Sequence, residues 1–294
     1  MFSAHSLASA AIPYVAIPHL NLPMGAKIEP FGVVVAIGVV IGIRVLDKYA
    51  AWHRASEDHT RGFSWWLLVS GFLGAHLFDV LAYQWDKMIE DPILLLKLWS
   101  GISSYGGFIG GSMGYVLYIW WKRLPFPLWA DIGMVGMLPA FTIGRIACTI
   151  VHDHPGSPTT SPLGFDYPLS FTDNLGFATA MRLHNLALYE LLYLLPINAL
   201  VLWLAFRKSK RMPAGFLAAL VGVLYAPVRF FLDYLRLSST DPRYASLTFA
   251  QWSSIVAAGV ALYVAVKVFR GGAPAPTLDD PDPRKKAAPA PEPA

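Results

Sequence analysis

Cysteine occurs once in these 294 residues, at Cys148, so neither an internal disulfide framework nor a cysteine metal cluster is available. Charge is also scarce: Asp, Glu, Lys and Arg make up 14% of the chain, against about 25% in an ordinary soluble domain. Water is therefore not its only solvent. The chain has no Gly-x-Ser-x-Gly elbow, no Walker phosphate loop and no His-Glu-x-x-His helix, which removes the hydrolase, nucleotide-driven transporter and zinc-protease readings. Lys27 is the only Lys or Arg before the first long apolar run. A cleavable signal peptide with a basic start is not expected, and the mature chain is expected to begin near Met1. The formal net charge is +4 and the isoelectric point about 9.1. Such a balance points to nucleic acid only where Lys and Arg share one soluble face. Here they stand in short stretches between apolar runs, so they read as topology determinants, and no nucleic-acid partner is expected.

What the sequence does have is apolar length. Hydrophobic residues are 55% of the chain and mean hydropathy is +0.47. Crossing a hydrocarbon layer of about 30 Å takes about 20 mostly apolar residues, and seven windows qualify, near 29–47, 64–83, 105–121, 127–151, 186–206, 214–236 and 251–269. The expected fold is an all-α integral membrane protein, a bundle of about seven transmembrane helices. Ahead of the first window, Ile12-Pro13, Ile17-Pro18 and Leu22-Pro23 break an apolar segment into an interfacial arm. Beyond Arg270 the Pro, Ala and charge-rich tail buries too little apolar surface to fold and is expected to be disordered. No internal repeat or linker divides the rest, so residues 1–270 read as one domain and 271–294 as its tail. Lys and Arg outside the spans gather on one side, at Lys48, Arg54, Arg61, Lys122, Arg123, Arg207, Lys208, Lys210, Arg211 and the C-terminal basic residues. The other side has only Lys27, Lys87, Lys97, Arg182, Arg236 and Arg243. The positive-inside rule then puts the N-terminus outside and the C-terminus in the cytoplasm.

With that orientation the ionisable residues share one depth. His76 and Asp79 end the second span, Arg145 the fourth, and Arg229, Asp233 and Arg236 the sixth, all running outward. Tyr105 and Gly106 open the third span, and His184, Tyr189 and Glu190 the fifth, running inward. A charge inside a membrane costs a few kcal/mol, at about 2.5 to 3.5 for Arg or Asp at mid-helix, unless it is paired or hydrated. Structural ion pairing explains any one of these residues as well as function does. Their convergence from five spans is better explained by a shared polar cavity near the outer boundary. Arg229, Asp233 and Arg236 recur at i, i+4 and i+7 in RFFLDYLR, on one helical stripe. That stripe presents two guanidiniums to an anion, and arginine suits phosphate because its rigid fork donates bidentate hydrogen bonds. Arg145 has no acidic residue within a turn and needs a partner from another span or a ligand. The run GGFIGG (106–111), which includes Gly106 and Gly107, permits close helix approach or backbone contact with a headgroup. His152, Asp153 and His154, with His184, are ligand types for a metal. Adjacent residues rarely converge on one ion, however, and Pro155-Gly156 reads as a turn, so no metal is expected.

Four segments, in order, resemble the phosphatidylglycerol-prolipoprotein diacylglyceryl transferases of bacterial inner membranes, over about Phe31 to Ile255. DPILLLKLWSGISSYGGFIGG (91–111) is similar to the family segment ending His-Gly-Gly-Leu-Ile-Gly. GRIACTIVHDHPG (144–156) resembles its Gly-Arg-x-x-Asn-x-x-x-x-Glu-x-x-Gly, and HNLALYE (184–190) its His-Pro-x-Gln-Leu-Tyr-Glu. RFFLDYLR with the later FAQWSSI resembles Arg-x-x-x-Glu-x-x-Arg and Gln-x-x-Ser. Arg145, Gly156, His184, Tyr189, Glu190, Arg229 and Arg236 keep the family residue type. Tyr105 stands where the family has histidine, Phe31 where it has tyrosine, Cys148 where it has asparagine, Asp153 and Asp233 where it has glutamate, and His76 where it has arginine. The resemblance implies transfer of a diacylglyceryl group from phosphatidylglycerol to the lipobox cysteine thiol of a prolipoprotein, in the inner membrane, at a site facing the outer leaflet. The partners it implies are phosphatidylglycerol, the lipobox segment and membrane lipids, with no cofactor. It assigns Arg145 and Arg229 to phosphate neutralisation, Asp233 and Asp153 to orienting them, and His184 or a water near Tyr105 to thiol deprotonation. Arg236, Gly106, Gly107, Gly156, Tyr189, Glu190 and His76 are expected to bind substrate, and Cys148 to pack. The departures leave open a paralogue acting on another lipid or acceptor, and a non-catalytic lipid-binding or transport protein.

Overall fold

The computed structural model describes residues 11–21, 27–97, 101, 103–207, 212–237, 243–271 and 278. Short strands β1 (Ile12–Pro13), β2 (Leu20–Asn21) and β3 (Lys27–Ile28) precede the long helices α1 (Pro30–Trp52) and α2 (Glu57–Tyr83). A short α3 (Trp85–Glu90) leads into α4 (Ser104–Lys122) and α5 (Phe126–Val151). The next connection holds β4 (Pro155–Pro158), β5 (Phe165–Tyr167), a single turn α6 (Leu169–Thr172) and β6 (Met181–Asn185). Helices α7 (Leu186–Phe206) and α8 (Phe216–Leu232), hairpin strands β7 (Arg243–Tyr244) and β8 (Leu247–Thr248), and α9 (Phe249–Gly271) complete the fold.

Six of these helices are long and apolar enough to cross a membrane: α1, α2, α5, α7, α8 with the turn that extends it to Leu235, and α9. The chain is a mostly helical integral membrane protein. The remaining expected span, 105–121, is the 19-residue α4, about 28 Å long at 1.5 Å per residue. Its SYGGFIGGSMGY start is less apolar than the other six. Large side chains such as Trp65, Val69, Val256, Val260 and Tyr263 are well exposed on these helices. Apolar faces of that extent are stable only against lipid.

The chain resolves into two compact units, with boundaries inside α1 and α5. The first comprises residues up to Val45 and Gly133–Pro274. Within it α1 lies close against α5, because a Cβ on Gly42 would stand 2.7 Å from Gly136 O and one on Gly38 3.0 Å from Ala140 O. Asn198 of α7 donates to Thr142 of α5 at 3.1 Å, and Tyr193 donates to Leu224 O of α8 at 2.8 Å. The strands of the α5–α7 connection join β1 in a four-stranded sheet ordered β1-β5-β6-β4, with β1 parallel to β5 and the other pairs antiparallel. Its core is Phe165, Tyr167 and Leu183, covered by Ile12, Tyr14 and Phe171. The arm expected before the first span thus contributes an edge strand.

The second unit comprises Leu46–Ile132 and, of the C-terminal residues, Leu278. Phe63, Tyr118 and Trp129 form its aromatic core, with Phe63 ring centroids 5.8 Å from Tyr118 and 5.1 Å from Trp129. The expected tail disorder falls on residues outside those described, save Leu278, whose backbone N–H donates to His53 O at 2.8 Å.

Candidate functional site

The first unit gathers a cluster of buried charges at one end of α5, α7 and α8. Arg145 on α5 finds the partner its sequence neighbourhood denies it on α7: its Nε is 3.2 Å from Glu190 Oε2, and both side chains are largely buried. Its guanidinium also lies over the Phe141 ring, 4.8 Å from the centroid. Tyr225 of α8 donates a short hydrogen bond to the other oxygen of Glu190. One turn on, Arg229 is within electrostatic reach of both Arg145 and Tyr225. Arg229 Nη1 donates to Asp233 Oδ1 at 2.9 Å, and Arg236 Nε is 3.5 Å from the same oxygen. Asp233 is fully buried. Its second oxygen accepts from Thr248 Oγ1.

Thr248 is itself fixed by a capping box at the start of α9. Gln251 N donates to Thr248 Oγ1 at 3.2 Å, and Thr248 N donates to Gln251 Oε1 at 3.0 Å. Gln251 Nε2 donates back to Phe230 O on α8 at 3.3 Å. The cap therefore ties the start of one helix to the carboxylate that holds two arginines.

The α5–α7 connection closes over this cluster. Gly156 forms an isolated antiparallel bridge with Arg236, and a Cβ there would stand 2.7 Å from Leu235 O. The close approach requires glycine. His184 Nδ1 and Tyr189 Oη share a hydrogen bond at 2.7 Å. Burial pushes the His184 imidazole below its ordinary value, so it is neutral near neutral pH and able to take up a proton. His152 is a fastener: its Nδ1 faces Tyr167 Oη at 3.2 Å and its Nε2 faces Val15 O at 3.4 Å. Tyr14, Phe165 and Tyr167 pack around its ring, and burial lowers its pKa as well. Asp153 Oδ1 pairs with His154 Nδ1. Cys148, Asp153 and His154 converge, their donor atoms all within 4.8 Å of one another. Sequence reasoning set aside the histidine-rich segment because neighbours rarely share an ion, and it placed Cys148 in packing. It missed that a turn brings two of those neighbours back onto α5.

The remaining expected site residues, His76, Tyr105, Gly106 and Gly107, lie in the second unit. His76 is fully buried, with Nδ1 3.3 Å from Gly101 O and Nε2 3.1 Å from Leu95 O. Both nitrogens face backbone carbonyls, so the ring expected to bind a headgroup fastens the connection before α4 to α2. Gly106 is likewise a packing residue, since a Cβ there would stand 2.9 Å from Ala75 Cα, and Gly110 meets Gly74 in the same way. Gly107 has more room, its nearest neighbour being Ala75 Cβ at 3.7 Å. Tyr105 is half-buried in the first turn of α4. Tyr225, Thr248 and Gln251 were not singled out from sequence as members of the charge cluster. Tyr225 had a signal, standing four residues before Arg229 on the arginine stripe.

Residues 19–267 match the sequence model of a family described as Prolipoprotein diacylglyceryl transferase. Relatives of the chain include proteins named phosphatidylglycerol--prolipoprotein diacylglyceryl transferase. The one from Clostridium tetani is 26% identical over 242 residues, covering 82% of this chain and 93% of the relative. That from Thermosynechococcus vestitus is 26% identical over 266 residues, 90% of this chain and 97% of its own. The Roseobacter denitrificans protein is 30% identical over 211 residues, 68% and 72% respectively. With a match over most of its length, the chain belongs to the prolipoprotein diacylglyceryl transferase family.

Proposed function

We propose that this protein transfers the diacylglyceryl group of phosphatidylglycerol to the lipobox cysteine thiol of prolipoproteins, with Arg145 and Arg229 neutralising the phosphate. The observation that carries this reading is the charge balance of the cluster. Arg145, Arg229 and Arg236 set three guanidiniums against the carboxylates of Glu190 and Asp233. Among these five side chains arginine outnumbers carboxylate, a composition suited to the anionic phosphodiester headgroup.

The acceptor thiolate attacks the glyceryl carbon that carries the phosphate ester. A carbon–sulfur bond forms, the carbon–oxygen bond breaks, and its electron pair leaves with glycerol phosphate. Negative charge on the phosphate therefore grows along the reaction. Guanidiniums already held in place by buried carboxylates meet that charge without reorganising, where such interactions are strongest. His184, neutral and hydrogen-bonded to Tyr189, takes the thiol proton, since the thiolate is the nucleophile. Asp233 orients Arg229 and Arg236, and Glu190 orients Arg145.

The same reading places residues 1–270 as the catalytic domain in a bacterial inner membrane and 271–294 as a cytoplasmic tail. The N-terminus is outside and the site faces the outer leaflet, where the lipobox of a secreted precursor is accessible. The uneven distribution of Lys and Arg supports this orientation. The test is transfer of labelled diacylglyceryl from phosphatidylglycerol to a lipobox peptide by the purified protein. Thioether product with release of glycerol phosphate supports the assignment, and lipid binding without product supports a non-catalytic role instead.

A further inference from the structure

We propose that Cys148, Asp153 and His154 form a binding site for a thiophilic divalent cation of the zinc class. The site is built by a reversal of the chain. Helix α5 ends at Val151, and His152 adopts the left-handed conformation, with φ at 56°. The next residues are held from the other side: Leu186 N donates to His154 O at 3.1 Å, and Pro155 is in register with Asn185. Asp153 and His154 are thereby returned over the last turn of α5, where Cys148 lies. The sulfur, a carboxylate oxygen and an imidazole nitrogen then stand within 4.8 Å of one another. Zinc binds these donors at about 2.3, 2.0 to 2.2 and 2.0 to 2.1 Å respectively, so donors on one ion sit about 3 to 4 Å apart, within reach of side-chain rotation.

The chemistry of the set is selective. A thiolate and a carboxylate neutralise a dication, and an imidazole adds a third ligand without charge. Oxygen-preferring cations such as magnesium gain nothing from the sulfur. Arg145 Nη1 lies 3.8 Å from Cys148 Sγ, a donor beside the thiolate of the kind that supports a metal-bound sulfur from outside the ligand shell. Cys148 is buried, His154 half-buried and Asp153 exposed, so the donors run from interior to surface and leave an entry path. On binding, the Cys148 proton passes to solvent. The neighbouring histidines are already committed, His152 to Tyr167 and Val15 and His184 to Tyr189. The fourth tetrahedral position is left to water.

The test is titration of the full-length protein in lipid nanodiscs, purification tag removed, with Co²⁺ as a spectroscopic probe and Zn²⁺ as competitor. The expected result is a thiolate-to-cobalt charge-transfer band, displaced by Zn²⁺. That band should vanish in Cys148→Ser, and the affinity should fall at least about tenfold in His154→Ala. His154 is partly exposed, so its variant tests the site even where Cys148→Ser fails to fold. Absence of the band in the wild-type protein, or an unchanged cobalt affinity in His154→Ala, overturns the proposal.

Discussion

At Asp233 two guanidiniums and a hydroxyl meet one buried carboxylate, and the consequences for stability follow from charge. Breaking a buried ion pair by removing one partner costs about 3–5 kcal/mol, because the other charge is stranded. Asp233→Ala is therefore expected to lower the thermal unfolding temperature markedly. Asp233→Asn, which keeps an acceptor for Thr248, should lower it less. Both are read by unfolding of the purified protein in detergent. A second expectation concerns pH. His152 and His184 have folded pKa values below their ordinary one, so the unfolded chain binds protons first as pH falls. Stability is then full above about pH 6.5 and declines as pH falls below it, down to the folded pKa values. His152→Gln should flatten that decline in a stability-versus-pH series. A slope unchanged by the substitution would assign the acid sensitivity elsewhere. The need of Arg145 for a partner was legible in sequence, because an unpaired cation in an apolar run is costly. That the partner is Glu190 was not, since their pairing depends on how α5 and α7 pack. Tyr225 was overlooked because tyrosine in an apolar span reads as packing until its hydroxyl is seen on a carboxylate.

Among the elements, the long helices were the most legible, because spans of apolar sequence dictate them whatever surrounds them. The short strands were not legible. β4 is PGSP, with no alternation of apolar and polar residues, and it pairs only because β6 lies alongside. The glycine run of α4 offered two readings, and the structure resolves most of it as contact with α2. Gly110 would place a Cβ 2.8 Å from Gly74 Cα, whereas at Gly111 nothing lies within 4 Å. Gly110→Leu is therefore expected to destabilise by forcing α2 and α4 apart, by at least the 1–3 kcal/mol typical of overpacking. Gly111→Leu, one residue on, should be nearly neutral. Paired thermal-unfolding measurements on the two variants check this, and equal effects would contradict the packing assigned to α4.

For the whole molecule, the apolar spans were enough to predict a membrane protein, while the division into two units was invisible, having no linker to mark it. Reporter fusions after Lys210 and after Ser157 are expected to label opposite sides of the membrane, with the first cytoplasmic. Labelling on one side would remove the outer-leaflet site. The most direct test of phosphate neutralisation is single-turnover transfer from phosphatidylglycerol to a lipobox peptide by wild type, Arg229→Lys and Arg229→Ala. Lysine keeps the charge but loses the fork, and alanine loses both. The account predicts wild-type transfer, a slower lysine variant and an alanine variant slower by about 100- to 1,000-fold. An alanine variant as fast as wild type would contradict it, as would an inactive wild-type protein whose folded Tyr105→His, Phe31→Tyr double variant is inactive as well.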